Sequence, residues 1–165
     1  MKMVLSILVE NTSGVLSRVS GLFSRRAFNI DSLSVGTTQN GGVSRMTIAA
    51  SGDEQTLEQI KNQLNKLVEV KELVELKADS SVCRELILIK LAVDAAKRQS
   101  VVAIADIFRA KIVDVGVDTM MIELTGNQSK IDAFLELLEG NEILELVRTG
   151  ITGLARGTDI ADFSE

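Results

Sequence analysis

The chain has 165 residues, a hydrophobic share of 45% and a formal net charge of −5. It has no histidine, tryptophan or tyrosine, one cysteine and five phenylalanines. These numbers argue against a Cys/His zinc site, against histidine acid–base catalysis and against the basic, aromatic-rich footprint of a nucleic-acid-binding protein. The length allows one medium domain or two of about 80 residues each. No apolar run approaches the roughly 18 residues that span a bilayer, so no membrane partner is expected. A lone Cys83 and the lack of a secretory leader pattern make the cytoplasm the simple expectation.

In chain order, "MVLSILV" places Met3, Leu5, Ile7 and Val9 on one face at period two, a strand with a fully apolar side. Its other face, Val4, Ser6 and Leu8, is apolar enough to want partial cover. Val15, Leu16, Val19, Leu22 and Phe23 then follow helical spacing, with Thr12 or Ser13 as the expected N-cap. "IDSLSVG" reads as a second strand, and the Asn-Gly-Gly of "TTQNGGVS" as a hairpin turn. Met46, Ile48 and Ala50 alternate in a third strand. A second helix starts at or beside Asp53 and carries Leu57, Ile60, Leu64 and Leu67. "VEVKELVEL", with charges facing out, closes the unit as an exposed edge.

The order βαββαβ is that of a ferredoxin-like unit. "KADSS" makes a polar boundary, and the plan then repeats. "RELILIKLAV" is a strand; Val101, Val102, Ile104, Ala105 and Phe108 form a helical stripe; "AKIVDVG" and "TMMIELTG" are two more strands. Ser129 is the expected cap of a helix bearing Ile131, Phe134, Leu135 and Leu138, and "EILELVRTG" is the last strand. "IFRAKIVDV" echoes "LFSRRAFNIDSL" from the first half. The expected fold class is therefore α+β, two tandem ferredoxin-like units over residues 1–78 and 79–165. The closing "TGITGLARGTDIADFSE" reads as a loop or arm, ordered by a partner.

The stretch "ENTSGVLSRVSGLFSRRAFNIDSL" holds the candidate site. Asn11 to Gly14 suit a plain strand–turn–helix connection. The same residues suit a ligand: a helix N-terminus has open N–H groups for a carboxylate, and Gly14 admits a close approach. Asn11 can both donate and accept, as a zwitterion requires. Val15, Leu16 and Ile30 could line a small apolar pocket. Both readings fit the local pattern. No paired carboxylates stand out as acid and base, and Ser17, Ser20 and Ser24 have no histidine to activate them. Cys83 reads as a structural residue or surface thiol, and Arg25-Arg26 as a solvated helix end.

"LVENTSGVLSRVSGLFSRRAFNIDSLSVG", followed by "SRMTI", "DVG" and "RTGITGLARG", resembles the regulatory (small) subunit family of acetolactate synthase. The resemblance covers nearly the whole chain and implies that the first unit is an amino-acid-sensing ACT domain. It implies a homodimer binding valine, or another branched-chain amino acid, at its ACT–ACT interface. The ligand motif falls here on Asn11 and Gly14, then Val15 and Leu16, with Asn29 and Ile30 opening the second strand. It further implies no catalysis by this chain, activation of a separate catalytic subunit, and feedback inhibition. That partner would hold thiamine diphosphate, magnesium and FAD, this chain holding no cofactor. The competing reading is a stand-alone ACT sensor acting on another enzyme or on transcription.

Overall fold

A computed structural model describes residues 1–157. By packing, the chain divides into Met1–Cys83 together with the segment from Ile151, and Arg84–Gly150.

The first unit contains β1 (Lys2–Glu10), α1 (Val15–Arg25), β2 (Ile30–Thr37), β3 (Val43–Ser51), α2 (Glu54–Asn65) and β4 (Val70–Glu75). The strands form an antiparallel sheet in the order β2-β3-β1-β4, so β2 and β4 are its edges. The period-two face of β1 is the core: Leu5 and Ile7 are fully buried beside Met46, Ile48 and Ala50. Val15, Val19, Leu22 and Phe23 of α1 and Leu57, Ile60 and Leu64 of α2 close it. Each such side chain contributes roughly 1.5–3 kcal/mol by leaving water. Leu16 departs from its expected place on this stripe and is exposed. At about 100° per residue it falls on the margin of the buried arc, in the first turn of the helix.

The helices differ in how they begin. α2 begins at Asp53, as expected, whose carboxylate accepts from the Thr56 backbone N–H at 2.7 Å. That hydrogen bond holds the Asp53 carboxyl below its ordinary pKa. The contribution is therefore present above the unfolded value of about 4 and disappears as pH falls through the lower, folded value. Asp53→Asn keeps an acceptor and removes the titration. Between about pH 5 and pH 2 the melting temperature of the parent should fall more than that of Asp53→Asn; parallel curves would count against this account.

The second unit repeats the topology. It uses β5 (Ser81–Ala92), α3 (Ala95–Ile107), β6 (Lys111–Val115), β7 (Thr119–Gly126), α4 (Gln128–Leu137) and β8 (Glu142–Arg148), with strand order β6-β7-β5-β8. Ile87, Ile89 and Leu91 face Val101 and Ala105 of α3 and Ile131 and Phe134 of α4 in one buried cluster. Phe108 meets Phe134 edge to face at 5.4 Å. The cap of α4 is Asn127, accepting from the Lys130 N–H, and not Ser129, whose hydroxyl donates to Asn127. Asn127 precedes the first helical residue, where a side-chain acceptor reaches the third N–H.

The chain end corrects two expectations. Residues 151–157 do not continue the second unit as a free arm. Thr152–Ala155 form β9, which pairs with β5. Ile151 donates its N–H to Ser32 Oγ at 3.3 Å, and its carbonyl accepts from Ser34 Oγ at 3.1 Å. Ser32 and Ser34 lie on the face of the first sheet away from the helices, where Ser6, Leu8, Thr47 and Ala49 are also buried. The first unit therefore uses residues 79–83 and a returning strand in addition to 1–78. The remainder, "TDIADFSE", lies outside the described residues.

Candidate functional site

α1 starts differently from the other helices. Its N-cap is Gly14, with φ 87° and no side-chain cap, instead of the expected Thr12 or Ser13. A left-handed φ suits glycine and turns the chain into the helix without a hydroxyl reaching back. α2, α3 and α4 all close their first turn with Asp53, Asp94 or Asn127. The first turn of α1 contains no acidic residue either. Its leading N–H groups and the positive end of its dipole are left for something else to satisfy. A Cβ at Gly14 would meet no atom within 4 Å, so the backbone there faces open space. Arg18, one turn in, is already paired with Glu69, leaving the helix terminus as the open positive end.

Asn11 anchors this loop. Its N–H donates to the Gly42 carbonyl and its Nδ2 to the Gly41 carbonyl, both at 2.9 Å. The Asn-Gly-Gly turn thus does form a hairpin, and it also fixes the loop before α1, a role its sequence did not reveal. Asn11 is exposed, and its amide oxygen remains a candidate acceptor. Val15 is spent on the core and is not available to line a pocket, whereas exposed Leu16 is.

Asn29 and Ile30 stand elsewhere. Strand register pairs Met3 of β1 and Ile30 of β2 with the same residue, Ala50. At the other end Glu10 pairs with Val43, and Thr37 with Ser44. Asn11 and Asn29 therefore lie at opposite ends of the sheet, about 20–25 Å apart at 3.3 Å per residue. Asn29 donates to Asp31 at 2.9 Å, and Ile30 packs on the core. One protomer does not bring its two asparagines to one ligand. Among the described residues no group of His, Cys, Asp and Glu is arranged to hold a metal, and no helix is long and apolar enough to cross a membrane.

Two family models account for this architecture. Residues 5–72 match the model described as the AHAS small subunit-like ACT domain, and residues 84–157 match the small subunit of acetolactate synthase. The chain belongs to the acetolactate synthase small-subunit family. It is 49% identical over 157 residues to a probable small subunit of Archaeoglobus fulgidus, covering 95% of this chain and 98% of the relative. It is 48% identical to the small subunit of Haemophilus influenzae over 158 residues, covering 95% and 97%. The crystal structure of the Thermotoga maritima small subunit is 40% identical and superposes with a TM-score of 0.87, over 96% of this chain and 99% of that one. Members of this family are regulatory subunits, and a catalytic subunit is the partner this membership implies. A stand-alone ACT sensor would leave the match over residues 84–157 without explanation.

Proposed function

We propose that this small subunit binds valine, or another branched-chain amino acid, between two of its own copies, activates the catalytic subunit and conveys feedback inhibition to it. The observation that carries the reading is the uncapped N-terminus of α1 at Gly14, beside an anchored Asn11. A carboxylate placed there meets open N–H groups and a favourable dipole, an interaction of about 0.3–2 kcal/mol depending on burial. The ammonium finds amide oxygens, and exposed Leu16 offers apolar surface to a branched side chain.

The second asparagine supports a site shared by two protomers. β2 is an edge strand with unpaired backbone groups, which favours pairing with another strand. Antiparallel pairing of β2 with its two-fold copy reverses the strand, so that the Asn29 end of one chain lies beside the Thr37 end of the other. That is the end where Asn11 and Gly14 sit. A closed two-fold homodimer would then hold two equivalent sites, each with Asn11, Gly14 and Leu16 from one chain and Asn29 and Ile30 from the other.

In this reading the chemistry belongs to the catalytic subunit, which holds thiamine diphosphate, magnesium and FAD. The test is acetolactate formation from pyruvate by the catalytic subunit alone, with this chain, and with this chain plus valine, leucine or isoleucine. The expected results are no product from this chain alone, a higher rate on mixing, and a fall in that rate with at least one of the three amino acids. A mixture indifferent to all three would overturn the sensing role.

A further inference from the structure

A cavity of about 410 Å³ opens on the sheet face of the first unit that carries the returning segment. It is lined by Ser34, Gly36, Thr37, Gln39 and Arg45 from β2, its following turn and β3, and by Thr152 of β9. Arg45 stands directly opposite Gly36 in the strand register. A Cβ at Gly36 would meet nothing within 4 Å, so the missing side chain leaves space beside the guanidinium.

Arg45 is half-buried and donates to Ser6 Oγ at 2.6 Å. Among the described residues no carboxylate lies within ion-pair distance of it, and none lines the cavity. Other arginines are placed differently: Arg18 pairs with Glu69, Arg148 is held in a two-pronged bridge by Glu85, and Arg98 donates to the carbonyls of Gly116 and Val117. Partial burial of a guanidinium is unfavourable unless its charge and remaining donors are met. Its planar fork matches the oxygens of a carboxylate or a phosphate. Thr37, Gln39 and Thr152 also line the cavity, and its volume suits a small molecule.

We propose that this cavity is a binding site for a small oxyanion, carried on a carboxylic acid or a phosphate ester, with Arg45 as its charged anchor. It is separate from the α1 terminus and does not depend on the amino-acid reading. The segment from Thr152 forms one wall, so the site exists only when β9 is in place.

The experiment is a titration of the isotope-labelled full chain, followed by amide and arginine side-chain resonances, with inorganic phosphate, with acetate, and with chloride at matched ionic strength. Saturable shifts at Arg45, Ser34–Gln39 and Thr152–Leu154, read separately from any at Asn11–Ser17, are expected with phosphate or acetate and not with chloride. Response to phosphate alone assigns a phosphate ester, to acetate alone a carboxylic acid, and to both the shared oxyanion. Arg45→Gln, which keeps a donor for Ser6, should weaken the affinity at least about tenfold, Arg45→Lys by less, and Asn11→Ala should leave it unchanged. No saturable response to either anion, shifts equal to those from chloride, or an affinity unmoved in Arg45→Gln would overturn the proposal.

Discussion

Asn11→Ala and Asn29→Ala homodimers should each lose most of their valine affinity, and an equal mixture of the two should regain part of it. Removing one hydrogen-bonding partner of a buried charged group costs about 1–3 kcal/mol, or about 5- to 150-fold in affinity. In a site built from both protomers, a mixed dimer joins the intact Asn11 of one chain to the intact Asn29 of the other. The opposite site in the same dimer lacks both. Random exchange makes half of the dimers mixed, so about one quarter of all sites should bind as the parent does. Calorimetry reads this as stoichiometry at parental affinity. A mixture no better than its components would reject the shared site, even if both single variants had lost binding. The comparison is clean because neither asparagine is a core residue: both are exposed. Gly14→Asp should be as damaging for a different reason. Its Cβ meets no neighbour, so no clash arises. The harm comes from a φ of 87°, strained for any residue that carries a Cβ, and from a negative charge where the proposed ligand carboxylate sits.

Gly153→Val should release the returning strand. A Cβ at this position would stand 2.7 Å from Cys83 Sγ, 2.9 Å from Leu76 Cδ1 and 2.9 Å from the Val82 carbonyl oxygen. Side chains can move aside, but the Val82 oxygen belongs to the backbone of β5, beside which β9 is paired. Overpacking of this kind costs about 1–3 kcal/mol, which for a unit of this size lowers the melting temperature by about 4–8 °C per kcal/mol. Hydrogen exchange should show lost protection at Thr152–Ala155 and at the start of β5. Adding Cys83→Ala removes only one of the three contacts, so it should recover only part of the loss. Parental melting and protection in Gly153→Val would mean that the segment does not need this close approach. The same contact explains why a fragment of residues 1–78 is an incomplete unit: it lacks both Ser81–Cys83 and the strand that returns to them.

Much of the fold was legible because it is written in local periods. Alternation in "MVLSILV" and helical spacing from Val15 to Phe23 reflect which face each residue turns to the core. The two halves match in element order because their patterns repeat. The family resemblance of the stretch around Asn11, Gly14 and Asn29 was equally visible, and the match over residues 5–72 bears out the family. Within that motif the roles were less clear. Val15 and Leu16 are adjacent and chemically alike, yet one is buried and the other exposed. A pattern of apolar residues gives the centre of a helical stripe better than its margin.

Sequence alone thus determined β1 to β8 and the four helices, since each rests on a local periodic pattern, while the repeat and the family were legible over longer stretches. Tertiary structure decided the start of α1 at a left-handed Gly14, because the loop is fixed by carbonyls of Gly41 and Gly42 some thirty residues away. It decided that Asn11 and Asn29 lie at opposite ends of the sheet, because strand register is set by pairing across β3 and not by spacing along the chain. It also decided that Ile151–Ala155 return to the first unit. Nothing in a glycine-spaced segment without periodicity names its partner; the serine hydroxyls of β2 and the narrow gap at Gly153 do so only once the chain has folded.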